Sequence, residues 1–278
     1  MSSTWEKKGE SAVNSSIMKH DIHVHTTLSS CCSDEHAIPS RMIKRASEQG
    51  LEVIGFADHL WDNEAYEPSG WYAPQNYQHL CAIREQIPED THGVNVLVGC
   101  ETEYCGHGRV GISKAVAEKL DFVLIPFSHF HMKGFVVEQE EADSLTAVAN
   151  LLVERFQEVL DLDMATGVAH PFFTLGYTEH DTILGSISDG AFEDCFGRAA
   201  ERGVSIEIHP GFFPRYLGWE QEDYHEEPFL RMLTIAKDSG CKFHLGSDAH
   251  ILEGIGSTNW LIECVKPLGI TQQDMLQF

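Results

Sequence analysis

Positive charge is scarce in this chain. Its 278 residues hold 19 Lys and Arg against 43 Asp and Glu, a formal net charge of −24 with histidine neutral. A protein that grips nucleic acid through its own charge needs a basic face to displace counterions, and an anionic membrane surface repels an acidic chain. Neither partner is expected. Long apolar runs are missing as well. No stretch approaches the roughly 18 residues that span a bilayer, and residues 1–18 lack the apolar core of a signal peptide. A cytoplasmic location is the expectation. The eight cysteines are scattered, and the adjacent Cys31 and Cys32 suit neither a disulfide framework nor the CxxC spacing of a zinc ribbon. They read as reduced, with Cys100, Cys195, Cys241 and Cys264 as ordinary buried residues. Neither GxGxxG nor GxxxxGK[ST] follows the first apolar run, so a nucleotide-binding sheet would lack its phosphate cradle.

What the chain does have is a 42% hydrophobic content, enough to bury a core, and 16 histidines. Residues 1–18 are polar and aperiodic, which reads as a flexible leader, and 19–278 read as one catalytic domain. Short apolar runs then alternate with amphipathic ones. The expected strands are 20–25, 52–58, 94–101, 121–128, 166–170, 203–208 and 242–247. The expected helices are 38–49, 75–87, 111–119, 143–160, 190–202, 226–239 and 258–266. Strict β-then-α alternation argues for a parallel sheet, and seven units in about 250 residues is the size of a closed α/β barrel of the TIM type. Segments 61–74, 129–142 and 209–225 are aromatic and punctuated by Gly and Pro, as loops that wall a site are.

The expected strand ends share one chemistry: His23 and His25, Asp58 and His59, Glu101, His129 and His131, His170, Glu207 and His209, then Asp248 and His250. The C-terminal rim of a β/α barrel gathers such residues into one cavity. Imidazoles and carboxylates together suit zinc, manganese or iron. His23 and His25 are two apart on a strand, so both side chains reach the same face, which Asp21 shares. Glu103 competes with Glu101 for the third position. Asp58 is read as a support for His59 or a helix cap.

The run Asp21-Ile-His23-Val-His25-Thr26, with FADH at 56–59, GCE at 99–101, SHFH at 128–131, AHP at 169–171 and SDAH at 247–250, resembles the motifs of the PHP family, the polymerase and histidinol phosphatase superfamily. The resemblance spans about 20–255. It implies a distorted (β/α)7 barrel, two or three divalent metal ions (Zn, Mn or Fe) and phosphoester hydrolysis by a metal-activated hydroxide. The ligands implied are His23, His25, His59, Glu101, His129, His170, Asp248 and His250. The family places a further ligand in the loop after the first strand, here Ser29-Ser-Cys-Cys-Ser-Asp-Glu-His36, where Asp34 or Glu35 is preferred by carboxylate chemistry, with Cys31 and His36 behind.

Asp248, His250 and His209 are the candidate proton donors to a leaving group. Arg215 is the best-placed cation for a phosphate, with Lys133 and His131 as further substrate contacts and Arg109 near the rim. The expected substrate is a small phosphorylated metabolite, of the kind histidinol phosphate represents; oligomeric state is left open. An amidohydrolase-like C–N hydrolase would need a bridging lysine at a strand end, where the chain has none. A non-catalytic metal-binding module would need a closed four-ligand site rather than eight or nine ligands.

Overall fold

The computed structural model describes residues 16–278. Along the chain lie β1 (His20–Val24), α1 (Pro39–Glu48), β2 (Val53–Phe56), α2 (Tyr77–Gln86), β3 (Asn95–Val98) and β4 (Cys100–Glu101). Then come α3 (Lys114–Ala117), β5 (Val123–Leu124), α4 (Leu145–Asp161), β6 (Gly167–Val168), α5 (His180–Gly185) and α6 (Asp189–Arg202). The chain ends with β7 (Ser205–Ile208), α7 (Pro214–Leu217), α8 (Glu227–Asp238), β8 (Phe243–Leu245) and α9 (Thr258–Val265).

Local chemistry sets these boundaries. Ahead of α2, α4 and α6 the side chains of Asn76, Ser144 and Ser188 accept hydrogen bonds from the backbone N–H groups of His79, Ala147 and Ala191, which would otherwise be unpaired at a helix start. Pro39 opens α1, where its missing N–H costs nothing. β1, β2 and β7 are buried at every position, as strands of a parallel sheet covered on both faces are.

β1, β2 and β3 form one parallel sheet and β4 through β8 a second. β3 runs into β4 across Gly99, where a Cβ would meet the Phe122 carbonyl oxygen at 2.5 Å and its ring at 2.6 Å, so only glycine lets the strand pass. A bridge between His59 and Glu101 ties the end of β2 to β4. At the other seam Val24 bridges Ala249, with the His25 N–H donating to Ala249 O at 2.9 Å and the Asp248 N–H to His23 O at 2.8 Å. Counting β3 and β4 as one, seven strand positions close into a distorted (β/α)7 barrel. Outside it, Phe127, Phe156, Phe172, Phe192 and Phe196 pack ring against ring, with centroids 5.1 to 6.0 Å apart.

Every expected strand has a counterpart, but several are shorter: 121–128 narrows to Val123–Leu124 and 166–170 to Gly167–Val168. The chain leaves the ladder early there and turns toward the rim. Within the stretch expected to be loop, 209–225, Pro214 starts the short α7 and Gly218, at φ 70°, stops it; α5 was likewise not expected. Of the expected leader, residues 1–15 lie outside the described residues. Ile17 and Met18 belong to the folded body, since Ile17 is buried and the Met18 N–H donates to Gln272 Oε1 at 2.5 Å. Among the described residues no helix is long and apolar enough to cross a membrane.

Candidate metal centre

The barrel's C-terminal rim brings together Glu101, Asp248, Cys31 and the imidazoles of His23, His25, His59, His129, His170 and His250. The rings are held from behind. His23 donates from Nδ1 to Glu207 Oε1 at 2.7 Å, His129 from Nδ1 to Glu103 Oε2 at 2.6 Å, and His250 from Nδ1 to its neighbour's carbonyl, Asp248 O, at 2.7 Å. The Ser29 hydroxyl donates to Asp58 Oδ1 at 2.6 Å, so its oxygen is free to accept from His25 Nδ1 at 3.2 Å. In each of these four rings the proton is thereby fixed on Nδ1, and the Nε2 lone pair faces the other members of the group.

The inward atoms converge on two carboxylates. Glu101 Oε2 lies 3.4 Å from His23 Nε2, 3.5 Å from His25 Nε2 and 3.2 Å from His59 Nδ1, while its Oε1 lies 3.1 Å from His170 Nε2 and 4.0 Å from His129 Nε2. Asp248 Oδ1 is 3.1 Å from His25 Nε2 and 3.6 Å from His23 Nε2. Cys31 Sγ is 2.9 Å from His250 Nε2. Three overlapping donor sets result: His25, Cys31, His59 and His250; His23, His25, Glu101 and Asp248; and Glu101, His129 and His170.

These donors fit divalent cations. His23 Nε2, His25 Nε2 and His59 Nδ1 are buried and have no hydrogen-bond partner among the described residues. A buried nitrogen left this way is costly unless something binds its lone pair. Burial pushes the Glu101 and Asp248 carboxyls up, but the imidazoles around them, His23 first, outweigh it and hold both well below the usual carboxylate range. Burial pulls His23 down, yet Glu207, Glu101 and Asp248 outweigh it and raise the ring well above its ordinary value. The field that attracts a proton there would equally attract a metal ion.

Backbone strain is concentrated at the same place. His170 at φ 28° and Asp248 at φ 55° are non-glycine residues in the left-handed region, each at a cost of about 1–3 kcal/mol. The His170 N–H donates to Glu207 Oε2 and the Asp248 N–H to His23 O, which pins both conformations. Gly246 makes room for this arrangement: a Cβ there would collide with Glu207 Oε1.

His209, expected near the leaving group, accepts the Gly211 N–H at Nδ1, 3.0 Å away, and places Nε2 3.9 Å from Asp248 Oδ2. His131 lies on the wall of a cavity of about 470 Å³ above the cluster, whose floor includes His59, Glu101, His129, Asp248 and His250. Trp71, Tyr72, Met132 and Leu175 form the rest of the wall. Five expected residues are elsewhere. Asp34 accepts the His36 and Leu252 N–H groups at 2.9 and 2.8 Å and so shapes the loop, and Glu35 is 88% exposed; the loop's donor in the cluster is Cys31. Lys133 Nζ donates to Tyr177 Oη at 2.9 Å. Arg215 is 71% exposed and lies 4.0 Å from Glu226, because α7 turns it outward. Arg109 stacks 4.5 Å over Phe135. Glu103 supports His129 rather than replacing Glu101. The role of Glu207 was not read from the sequence, although it ends a strand with His209 two residues on. The hydrophobic pattern shows where that strand ends, but not that its carboxylate lies beneath β1.

The family model for the PHP domain matches residues 21–210. A probable phosphatase of Syntrophotalea carbinolica is 24% identical over 92% of this chain and 90% of its own length. One of Aliivibrio fischeri is 27% identical over 85% of this chain and 79% of its own. Among solved structures, histidinol phosphate phosphatase from Lactococcus lactis, complexed with zinc, L-histidinol and phosphate, superposes with a TM-score of 0.59. Its identity is 17%, with 92% of this chain and 95% of that one covered.

Proposed function

Because the chain belongs to the PHP domain family, we propose that it is a metal-dependent phosphoesterase acting on a small phosphorylated metabolite. The observation that carries this reading is the convergence of unpartnered imidazole nitrogens of His23, His25 and His59 with Glu101 and Asp248, at a cavity floor that includes His59, Glu101 and Asp248. Structural zinc sites are closed by four ligands, whereas these donor sets share members and open on a cavity. The relatives named above as probable phosphatases support the same class of reaction.

His23, His25, His59, Glu101, His129, His170, Asp248, His250 and Cys31 would hold two or three divalent ions. Bound there, the ions would supply charge neutralisation for phosphate oxygens and activation of water. The protein's own contribution is orientation and proton handling. Glu207, Glu103 and Asp58, the last through Ser29, keep His23, His129 and His25 in the tautomer that offers a lone pair. His209 is the group suited to protonate a leaving oxygen. It would act as the imidazolium, giving up the proton on Nε2, the atom that faces Asp248, and returning to the neutral ring in which Nδ1 accepts from Gly211. Asp248, ionised, and His250, whose Nδ1 proton is engaged by a carbonyl, suit ligation better than proton donation.

The test is metal analysis of the purified full chain together with a panel of phosphomonoesters and phosphodiesters under added manganese or zinc. Stoichiometric metal and hydrolysis of a monoester are expected; less than one equivalent with no stimulation by any divalent ion rejects the reading. His209→Asn should lower kcat for an alkyl phosphate by about 10²-fold or more while bound metal stays constant.

A further inference from the structure

The cavity's walls differ in chemistry from its floor. Trp71 is 39% exposed and stands edge-on to Tyr72, ring centroids 4.7 Å apart at 88°, and to His59, 5.0 Å apart at 68°. It is fixed as well as accessible: the Trp71 carbonyl accepts from Gln75 Nε2 at 3.0 Å, and Tyr72 beneath it is fully buried, its hydroxyl donating to Glu103 at 3.1 Å. Met132 and Leu175 complete an apolar wall. Their backbones are tied to the floor, the Met132 N–H donating to His129 O at 3.0 Å and the Leu175 N–H to Ser128 O at 3.2 Å. A preformed wall of this kind binds apolar surface without first being ordered.

Among the described residues, no lysine or arginine lines the cavity. The three cations expected near the rim are engaged elsewhere: Lys133 with Tyr177, Arg109 over Phe135, and Arg215 on the exposed face near Glu226. A second phosphate or a carboxylate on the substrate would therefore lie against carbon with no counter-charge. A polyol would lose water and, on this wall, gain little beyond the His131 ring in exchange. Both penalties are those of burying polar groups unpaired.

We propose that the substrate is a monophosphate ester whose alcohol portion is uncharged, flat and apolar, packed on Trp71, Met132 and Leu175 while its single phosphate meets the floor. The proposal rests on the phosphoesterase reading and adds to it the class of alcohol. Trp71 is its main specificity determinant; it packs edge-on against the His59 ring and is not itself in any of the donor sets.

The experiment uses the metal-loaded full chain and two alkyl phosphates of similar leaving-group chemistry, 2-phenylethyl phosphate and glycerol 3-phosphate, with fructose 1,6-bisphosphate as the second-phosphate arm. Calorimetric binding of 2-phenylethylphosphonate and methylphosphonate supplies a readout independent of turnover. The phenylethyl ester should show kcat/KM at least about tenfold above glycerol phosphate, with the bisphosphate poorer still. Trp71→Ala should erase most of that preference through KM and weaken the phenylethylphosphonate alone; Trp71→Phe should restore it, and metal content should stay the same in both. Equal kcat/KM for the two monoesters, or a preference unchanged in Trp71→Ala, overturns the proposal while leaving phosphoester hydrolysis standing. Absence of both hydrolysis and phosphonate binding overturns the phosphoesterase reading and this inference with it.

Discussion

Cys31 gives the rim a donor unlike the rest. It shares a set with His25, His59 and His250, whereas the other two sets contain carboxylate and imidazole alone. Thiolate with imidazole favours zinc, while carboxylate oxygen tolerates manganese equally well. Burial, then the charges of Glu101 and Asp248, push the Cys31 thiol far up, so a cation is what would make it a thiolate. Cys31→Ser should therefore lose about one equivalent of bound zinc by elemental analysis, and the cobalt-substituted parent should show a sulfur-to-cobalt charge-transfer band that the variant lacks. An unchanged zinc content would remove Cys31 from the ligand set. Glu207 is the complementary case, a residue that would act through His23 without touching a metal. Glu207→Gln should weaken metal affinity about 10- to 100-fold in a chelator competition while the sulfur-to-cobalt band of the Cys31 set stays as in the parent. The sequence made the imidazoles legible, because each ends a hydrophobic run. It did not show which of Cys31, Asp34, Glu35 and His36 turns inward: the Ser29–Cys32 turn, closed by the Cys32 N–H donating to Ser29 O at 3.0 Å, decides that, and no periodicity encodes it.

At the scale of elements, the alternation of apolar and amphipathic runs was enough to place all seven strand positions, even though β1 and β7, buried at every position, carry His20, Asp21, His23, Ser205 and Glu207 among their apolar residues. The ends of β5 and β6 were less legible, because the chain there leaves the ladder to present His129 and His170. α5 and α7 are too short to show a period. α5 nevertheless begins with a residue that carries a measurable consequence. His180 stacks 4.8 Å from Phe173 at 10° and lies 4.5 Å from Tyr224, and burial pulls it from 6.5 to about 4. His20, on β1, is also drawn down to about 4 by burial; its Nε2 accepts the Leu245 N–H at 2.9 Å, a bond that protonation would break. The unfolded chain binds these protons near pH 6.5 and the folded chain only near pH 4. Each ring's contribution is thus whole above pH 6.5 and lost as pH falls toward 4, on the order of 3 kcal/mol per ring over that interval. His180→Phe should flatten the fall of Tm between pH 6.5 and 4 relative to the parent in the same metal state. Parallel curves would show that His180 does not titrate with folding.

For the molecule as a whole, the net charge of −24 is spread over two regions with opposite consequences. On the surface, acids face water and favour solubility while repelling polyanions. At the rim, Glu101, Glu207 and Asp248 are packed among imidazoles at the seam where β8 meets β1 and at the junction of β2 with β4. Cations held by Glu101, Asp248 and the surrounding imidazoles would cross-link the strands that close the barrel, so occupancy should stabilise the fold as well as serve the reaction. A ligand that binds only the folded state at about 1,000 times its dissociation constant stabilises by about 4 kcal/mol. For a chain of this size each kcal/mol moves Tm by about 2–4 °C. Removing metal with a chelator should therefore lower Tm by roughly 10 °C, and adding back zinc or manganese should restore it. The Glu207→Gln protein should regain less of the shift at the same free metal concentration. A Tm indifferent to chelation and re-addition would mean that the rim does not hold cations tightly in the folded state, and the donor convergence at the seam would need another explanation.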